Sequence, residues 1–171
     1  MAHALLRVTL SRYANVEPCA WQFRAGSYGR PEIAHPPSRL RFSLSHTPGL
    51  AACAIILDRE IGLDVEDTSR GAPIDVAERF FSPMEARQVH SAPLKARATR
   101  LFQYWTLKEA YIKARGMGLS LPLDRFTMYE DAEDTWRITF EPPLNDDPGR
   151  WQFWSSSVTD NHQAALAITV R

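Results

Sequence analysis

Between Leu101 and Lys113 the chain reads Leu-Phe-Gln-Tyr-Trp-Thr-Leu-Lys-Glu-Ala-Tyr-Ile-Lys, and no other stretch restricts the fold as much. At about 100° per residue, Leu101, Trp105 and Ile112 share one narrow stripe, with Phe102 on one side and Tyr104 on the other. The pattern predicts a long helix over about Ala98–Arg115, stopped by Gly116 and Gly118. Two charges fall inside its apolar face. Glu109 lies between Trp105 and Phe102, and Lys108 lies between Leu101 and Tyr104. An unpaired buried carboxylate costs several kcal/mol, so Glu109 needs a partner. Lys113 offers an i,i+4 pair, worth about 0.3–0.5 kcal/mol on an exposed surface. A metal ion shared with other acids is the alternative.

Such acids stand in Ile61-Gly62-Leu63-Asp64-Val65-Glu66. On a strand, alternate residues share a face. Ile61, Leu63 and Val65 then point to the core, and Gly62, Asp64 and Glu66 point the other way. Consecutive acids on that face lie about 6.5–7 Å apart. Their oxygens are hard ligands suited to Mg²⁺ or Mn²⁺. Read alone, the pattern is better described as an exposed strand face with solvated acids.

Phe42-Ser43-Leu44-Ser45-His46-Thr47 places hydroxyls and an imidazole at a strand end. Ser45 and His46 there suit phosphate, or they are ordinary turn residues. Neighbours on a strand face oppositely, which disfavours a Ser–His nucleophile pair.

The remaining chain supplies an α+β pattern. A helix is expected over Met1–Tyr13, an irregular segment over Gly26–Pro37, and strands over Leu40–Leu44, Leu50–Leu57 and Ile61–Glu66. Pro73 suits a first helical position. Ser82-Pro83-Met84-Glu85 is a capping box that opens another helix. Strands follow over Phe126–Glu130, Trp136–Glu141, Trp151–Val158 and Ala164–Val170. The 20 Lys and Arg among 171 residues balance 20 Asp and Glu, which argues against a nucleic-acid or anionic-membrane binder. Leu50–Leu57 is the longest apolar run, far below the ~18 residues of a membrane span. The start lacks a signal-peptide pattern. Cys19 and Cys53 read as two buried thiols. A soluble cytoplasmic protein is expected.

Read together and in order, five segments resemble the 4′-phosphopantetheinyl transferase superfamily in its monomeric, surfactin-synthetase-activating branch, which implies a monomer. They are Tyr28-Gly29-Arg30-Pro31, Phe42 to His46, Ile61 to Glu66, Arg79-Phe80-Phe81-Ser82 with Glu85, and Trp105 to Lys113 running on to Gly116-Met117-Gly118-Leu119. The resemblance implies a fold of two similar α+β halves related by a pseudo-twofold axis, here Met1–Glu60, curtailed at its start, and Ile61–Arg171, with the active site between them. Members of this branch usually carry several tens of residues before the segment matching Ala4-Leu5-Leu6-Arg7.

The implied reaction moves the phosphopantetheine arm of coenzyme A to a serine of an acyl or peptidyl carrier protein, with Mg²⁺ (or Mn²⁺), and leaves adenosine 3′,5′-bisphosphate. By motif position, Asp64, Glu66 and Glu109 look like the metal carboxylates. Lys108 and Lys113 look like the family's lysines, with Lys113 better placed to stabilise developing charge. Glu109, or a metal-bound water, takes the serine proton. Arg30, Ser45 and His46 are similar to contacts to the coenzyme's phosphate end. Glu85 matches an acid near the metal, although the capping box accounts for it without a catalytic role. Two other classes stand beside this one: a binding module that holds coenzyme A or a carrier without transfer, and a different Mg²⁺-dependent phosphotransferase. No P-loop glycine pattern occurs, which counts against a kinase or NTPase.

Overall fold

The serine-rich strand and the acidic strand lie side by side, joined through side chains. The computed structural model describes residues 2–71 and 74–170, with Leu119 described by its backbone only. Strand β3 (Leu40–Thr47) pairs antiparallel with β4 (Leu50–Leu57), and β5 (Ile61–Asp67) belongs to a second, three-stranded sheet in the order β5-β9-β8, with β8 at Trp151–Thr159 and β9 at His162–Thr169. Between the two sheets, hydroxyls of every second β3 residue replace main-chain acceptors. Ser43 Oγ accepts from Leu63 N–H at 2.9 Å, Ser45 Oγ from Val65 N–H at 3.2 Å, and Thr47 Oγ1 from Asp67 N–H at 3.2 Å. The strand-edge amides of β5 are thereby satisfied.

Helix α1 (Ala2–Ser11) and the hairpin β1 (Gln22–Ala25) with β2 (Pro31–His35) cover β3 and β4. Leu6, Leu10, Trp21 and Phe42 form the centre of this apolar cluster. The hairpin replaces the irregular stretch expected over Gly26–Pro37. Its turn uses Gly29 at φ 82°, and Pro31 takes the first position of β2, where the missing N–H is tolerated. Cys19 is exposed and Cys53 half-buried, in place of two buried thiols.

Helices α2 (Asp75–Phe80), α3 (Pro83–Ser91) and α4 (Leu94–Arg115) follow, and β6 (Phe126–Glu130) pairs with β7 (Trp136–Phe140). Pro73 lies outside the described residues. The expected capping box is present: Ser82 N–H donates to Glu85 Oε2 and Glu85 N–H to Ser82 Oγ. Helix α4 starts at Leu94, earlier than its apolar stripe, with a first turn that is largely exposed. Gly116, at φ 65°, ends it by donating its N–H to Ile112 and Lys113 carbonyls. A second apolar cluster, from Ala77 to Ala167, surrounds the buried side of α4. The contact of α4 with β5 is as close as backbones allow: a Cβ on Gly62 would lie 1.8 Å from the Ala110 carbonyl oxygen. That contact brings the acids of β5 against the helix. No helix among the described residues is long and apolar enough to cross a membrane.

Candidate active site

Trp105, Glu109 and Lys113 recur at four-residue spacing, so they occupy one face of α4. With Ser45, His46, Asp64, Glu66, Phe80 and Leu44 they line a cavity of about 560 Å³. A second cavity of about 290 Å³ opens on the other side of Glu109 and Lys113, with Tyr28, Pro31, Phe42, Ile112 and Gly116 in its wall. Glu109, Lys113 and Leu44 line both.

Asp64 is buried, and Lys113 Nζ stands 2.7 Å from its Oδ1. Ser45 Oγ donates to the same oxygen at 3.0 Å, while Oδ2 is buried with no hydrogen-bond partner. Glu66 Oε1 accepts from the Trp105 indole N–H at 3.2 Å. All three acids are harder to ionise than usual. Burial pushes Asp64 up against the pull of Lys113. Burial, then the Asp64 charge, raises Glu66. The same two causes push Glu109 up to about 7. A site with an unpartnered carboxylate oxygen and three mutually repelling acids is short of positive charge, and its all-oxygen donor set suits a hard divalent cation. Among the described residues no three His, Cys, Asp or Glu side chains are grouped closely enough to hold one metal ion as they stand.

Other expected residues lie elsewhere. Lys108, expected at the coenzyme and in catalysis, is fully buried in the core on a neighbouring face of α4. Its Nζ lies 2.8 Å from Glu85 Oε2, donates to the Leu123 and Phe126 carbonyls, and sits 4.1 Å from the Phe126 ring centroid. Glu85 does not join Asp64, Glu66 and Glu109; both its oxygens are engaged in the core, Oε1 accepting from Met128 N–H at 2.7 Å. Lys108 lies in an apolar face of α4, as the helical stripe predicts, and that face is core. Arg30 lines the smaller cavity, but its guanidinium donates to Glu60, to the Ala114 carbonyl and to the Ile61 carbonyl. It ties β5 to the end of α4. Ser45 is buried, whereas His46 is exposed at the larger cavity. Trp105 was expected only as core; its spacing from Glu109 was the available signal for its contact with Glu66.

The family profile of the 4′-phosphopantetheinyl transferase superfamily matches residues 60–169, which spans β5, α4 and the site acids. The chain belongs to the 4′-phosphopantetheinyl transferase superfamily. A 4′-phosphopantetheinyl transferase of Bacillus subtilis is 32% identical over 144 residues, 84% of this chain and 62% of the relative. The 4′-phosphopantetheinyl transferase HetI of a Nostoc species is 34% identical over 167 residues, 96% of this chain and 67% of the relative. The chain thus spans somewhat under two thirds of the Bacillus relative's length. In fold, the superfamily member resembles holo-[acyl-carrier-protein] synthase from Neisseria meningitidis, with a TM-score of 0.54 at 18% identity over 66% of this chain and 98% of that one. The Bacillus anthracis synthase, solved in complex with coenzyme A, has a TM-score of 0.54 at 16% identity, over 64% of this chain and 94% of that one.

Proposed function

We propose that this chain transfers the 4′-phosphopantetheine arm of coenzyme A to a serine hydroxyl of an acyl or peptidyl carrier protein. The observation that carries the reading is the meeting of Asp64, Glu66, Glu109 and Lys113 at one cavity, with the Asp64 Oδ2 oxygen left without a partner. Membership of the superfamily and the names of the relatives support it.

Asp64, Glu66 and Glu109 would hold Mg²⁺. When bound, the ion neutralises charge on the coenzyme's pyrophosphate and retains several waters, as magnesium usually does. Lys113, about one third exposed, presents an ammonium to both cavities, where it offsets negative charge on the departing phosphate. Glu109, or a water held by one of the acids, would accept the proton of the attacking serine. Trp105 keeps Glu66 directed to the site through its indole N–H. His46, exposed at the larger cavity, is the side chain available to the coenzyme's 3′-phosphate.

Intact-mass spectrometry of an apo carrier protein, incubated with this chain, coenzyme A and Mg²⁺, tests the reading. A gain of one phosphopantetheine that disappears with a chelator, and with Asp64→Ala, is expected. No gain across several carriers, with coenzyme A still bound, would identify a binding module instead.

A further inference from the structure

Ser45 is the most heavily bonded hydroxyl at the cavity. A serine hydroxyl has one proton to donate and two lone pairs. All three are engaged: Oγ donates to Asp64 Oδ1 at 3.0 Å, accepts from Val65 N–H at 3.2 Å, and accepts from Lys113 Nζ at 2.9 Å. Lys113 Nζ also donates to Asp64 Oδ1 at 2.7 Å, which closes a triangle of Ser45, Lys113 and Asp64. The residue is 7% exposed. A coenzyme phosphate would have to displace one of these three partners to gain a bond from this hydroxyl. The neighbouring seam residue Thr47 accepts only an amide, from Asp67, and touches neither Lys113 nor Asp64.

We infer that Ser45 is a positioning residue for the transfer step. Its hydroxyl fixes the Lys113 ammonium against Asp64 Oδ1 and thereby leaves Oδ2 as the oxygen Asp64 has to offer. This rests on the transferase reading for its catalytic consequence, but the triangle itself does not. Loss of the hydroxyl frees the Lys113 side chain to adopt other rotamers, because one of its two acceptors is gone.

Two readouts test this on the whole chain. The first needs no turnover. The rate at which acetic anhydride labels Lys113, read by peptide mass spectrometry, should rise several-fold in Ser45→Ala and stay at the wild-type value in Thr47→Val, which loses the same kind of amide bond. Equal rates in wild type and Ser45→Ala would overturn the inference even if no transfer were ever observed. The second is kinetic. Ser45→Ala should lower kcat by about 10–100-fold, the usual cost of losing a partner that orients a site residue. The ratio of KM for coenzyme A to KM for 3′-dephospho-coenzyme A should not change. Ser45→Thr, which keeps the hydroxyl, should restore kcat. An unchanged kcat with a KM raised for coenzyme A alone would make Ser45 a phosphate contact and refute the positioning role. If Ser45→Ala does not fold, Ser45→Cys keeps the shape with a far weaker hydrogen-bonding group, and the same two outcomes decide.

Discussion

Lys108 and Glu85 form an ion pair from which solvent is wholly excluded, with Nζ and Oε2 2.8 Å apart. Burial pulls the ammonium below its ordinary range, and the Glu85 charge opposes that pull. Removing one partner strands the other. Lys108→Met should therefore cost about 3–5 kcal/mol in denaturant unfolding. Adding Glu85→Gln, which removes the stranded charge yet still accepts from an amide, should recover part of the loss. Equal destabilisation in the single and double variants would show that the pair does not act as a unit.

Gly62 touches α4 with no room for a methyl group. A Cβ there would meet the Ala110 carbonyl oxygen at 1.8 Å and the Ala114 nitrogen at 2.5 Å, both backbone atoms of a helix. Gly62→Ala should destabilise by about 3–5 kcal/mol, since either β5 or α4 must move. The same shift would separate Asp64 from Lys113, so residual transfer should fall even in the folded fraction. Wild-type unfolding midpoints would contradict this.

The Glu109 carboxyl gives stability a pH dependence of known sign. Its ordinary value of 4.5 is pushed up to about 7 by burial and then by Asp64. Between those values the folded chain holds a proton that the unfolded chain has released. Stability should then fall as pH rises through this window, by at most about 3 kcal/mol. Asp64 and Glu66 are raised also and act in the same sense. Glu109→Gln should flatten the slope of thermal midpoint against pH, and Mg²⁺ should oppose the decline by favouring the ionised acids. A rising slope would contradict the assignment.

His46 stands exposed on the rim of the larger cavity. His46→Ala should weaken coenzyme A more than 3′-dephospho-coenzyme A in titration calorimetry. Equal losses for the two ligands would remove it from the phosphate.

Much of this arrangement was legible in the residues. The alternation Gly62, Asp64, Glu66 placed the acids on one face, and the helical stripe placed Glu109 near Lys113. Ser82 and Glu85 announced their own capping box. What sequence could not supply was the partner of each charge. Lys108 and Glu109 are adjacent and both fall in an apolar face, yet one meets a core carboxylate and the other a cavity, a distinction made by whether α3 or β5 covers that side of α4. Nothing local to Arg30 shows that Glu60 and the end of α4 lie within its reach. The β1–β2 hairpin was hidden because glycine and proline signal turns without saying that short strands flank them.

The seam between β3 and β5 runs through three side-chain oxygens, on Ser43, Ser45 and Thr47, and not through main-chain carbonyls. A rung of that kind opens when one χ1 angle rotates, leaving the β3–β4 and β5–β9 ladders intact. The two sheets can therefore part slightly along this line as a zipper does, tooth by tooth, without either sheet unfolding. Amide exchange at Leu63, Val65 and Asp67 should report those openings rung by rung, each at its own rate, and a ligand that bridges His46 and Lys113 across the line should slow them.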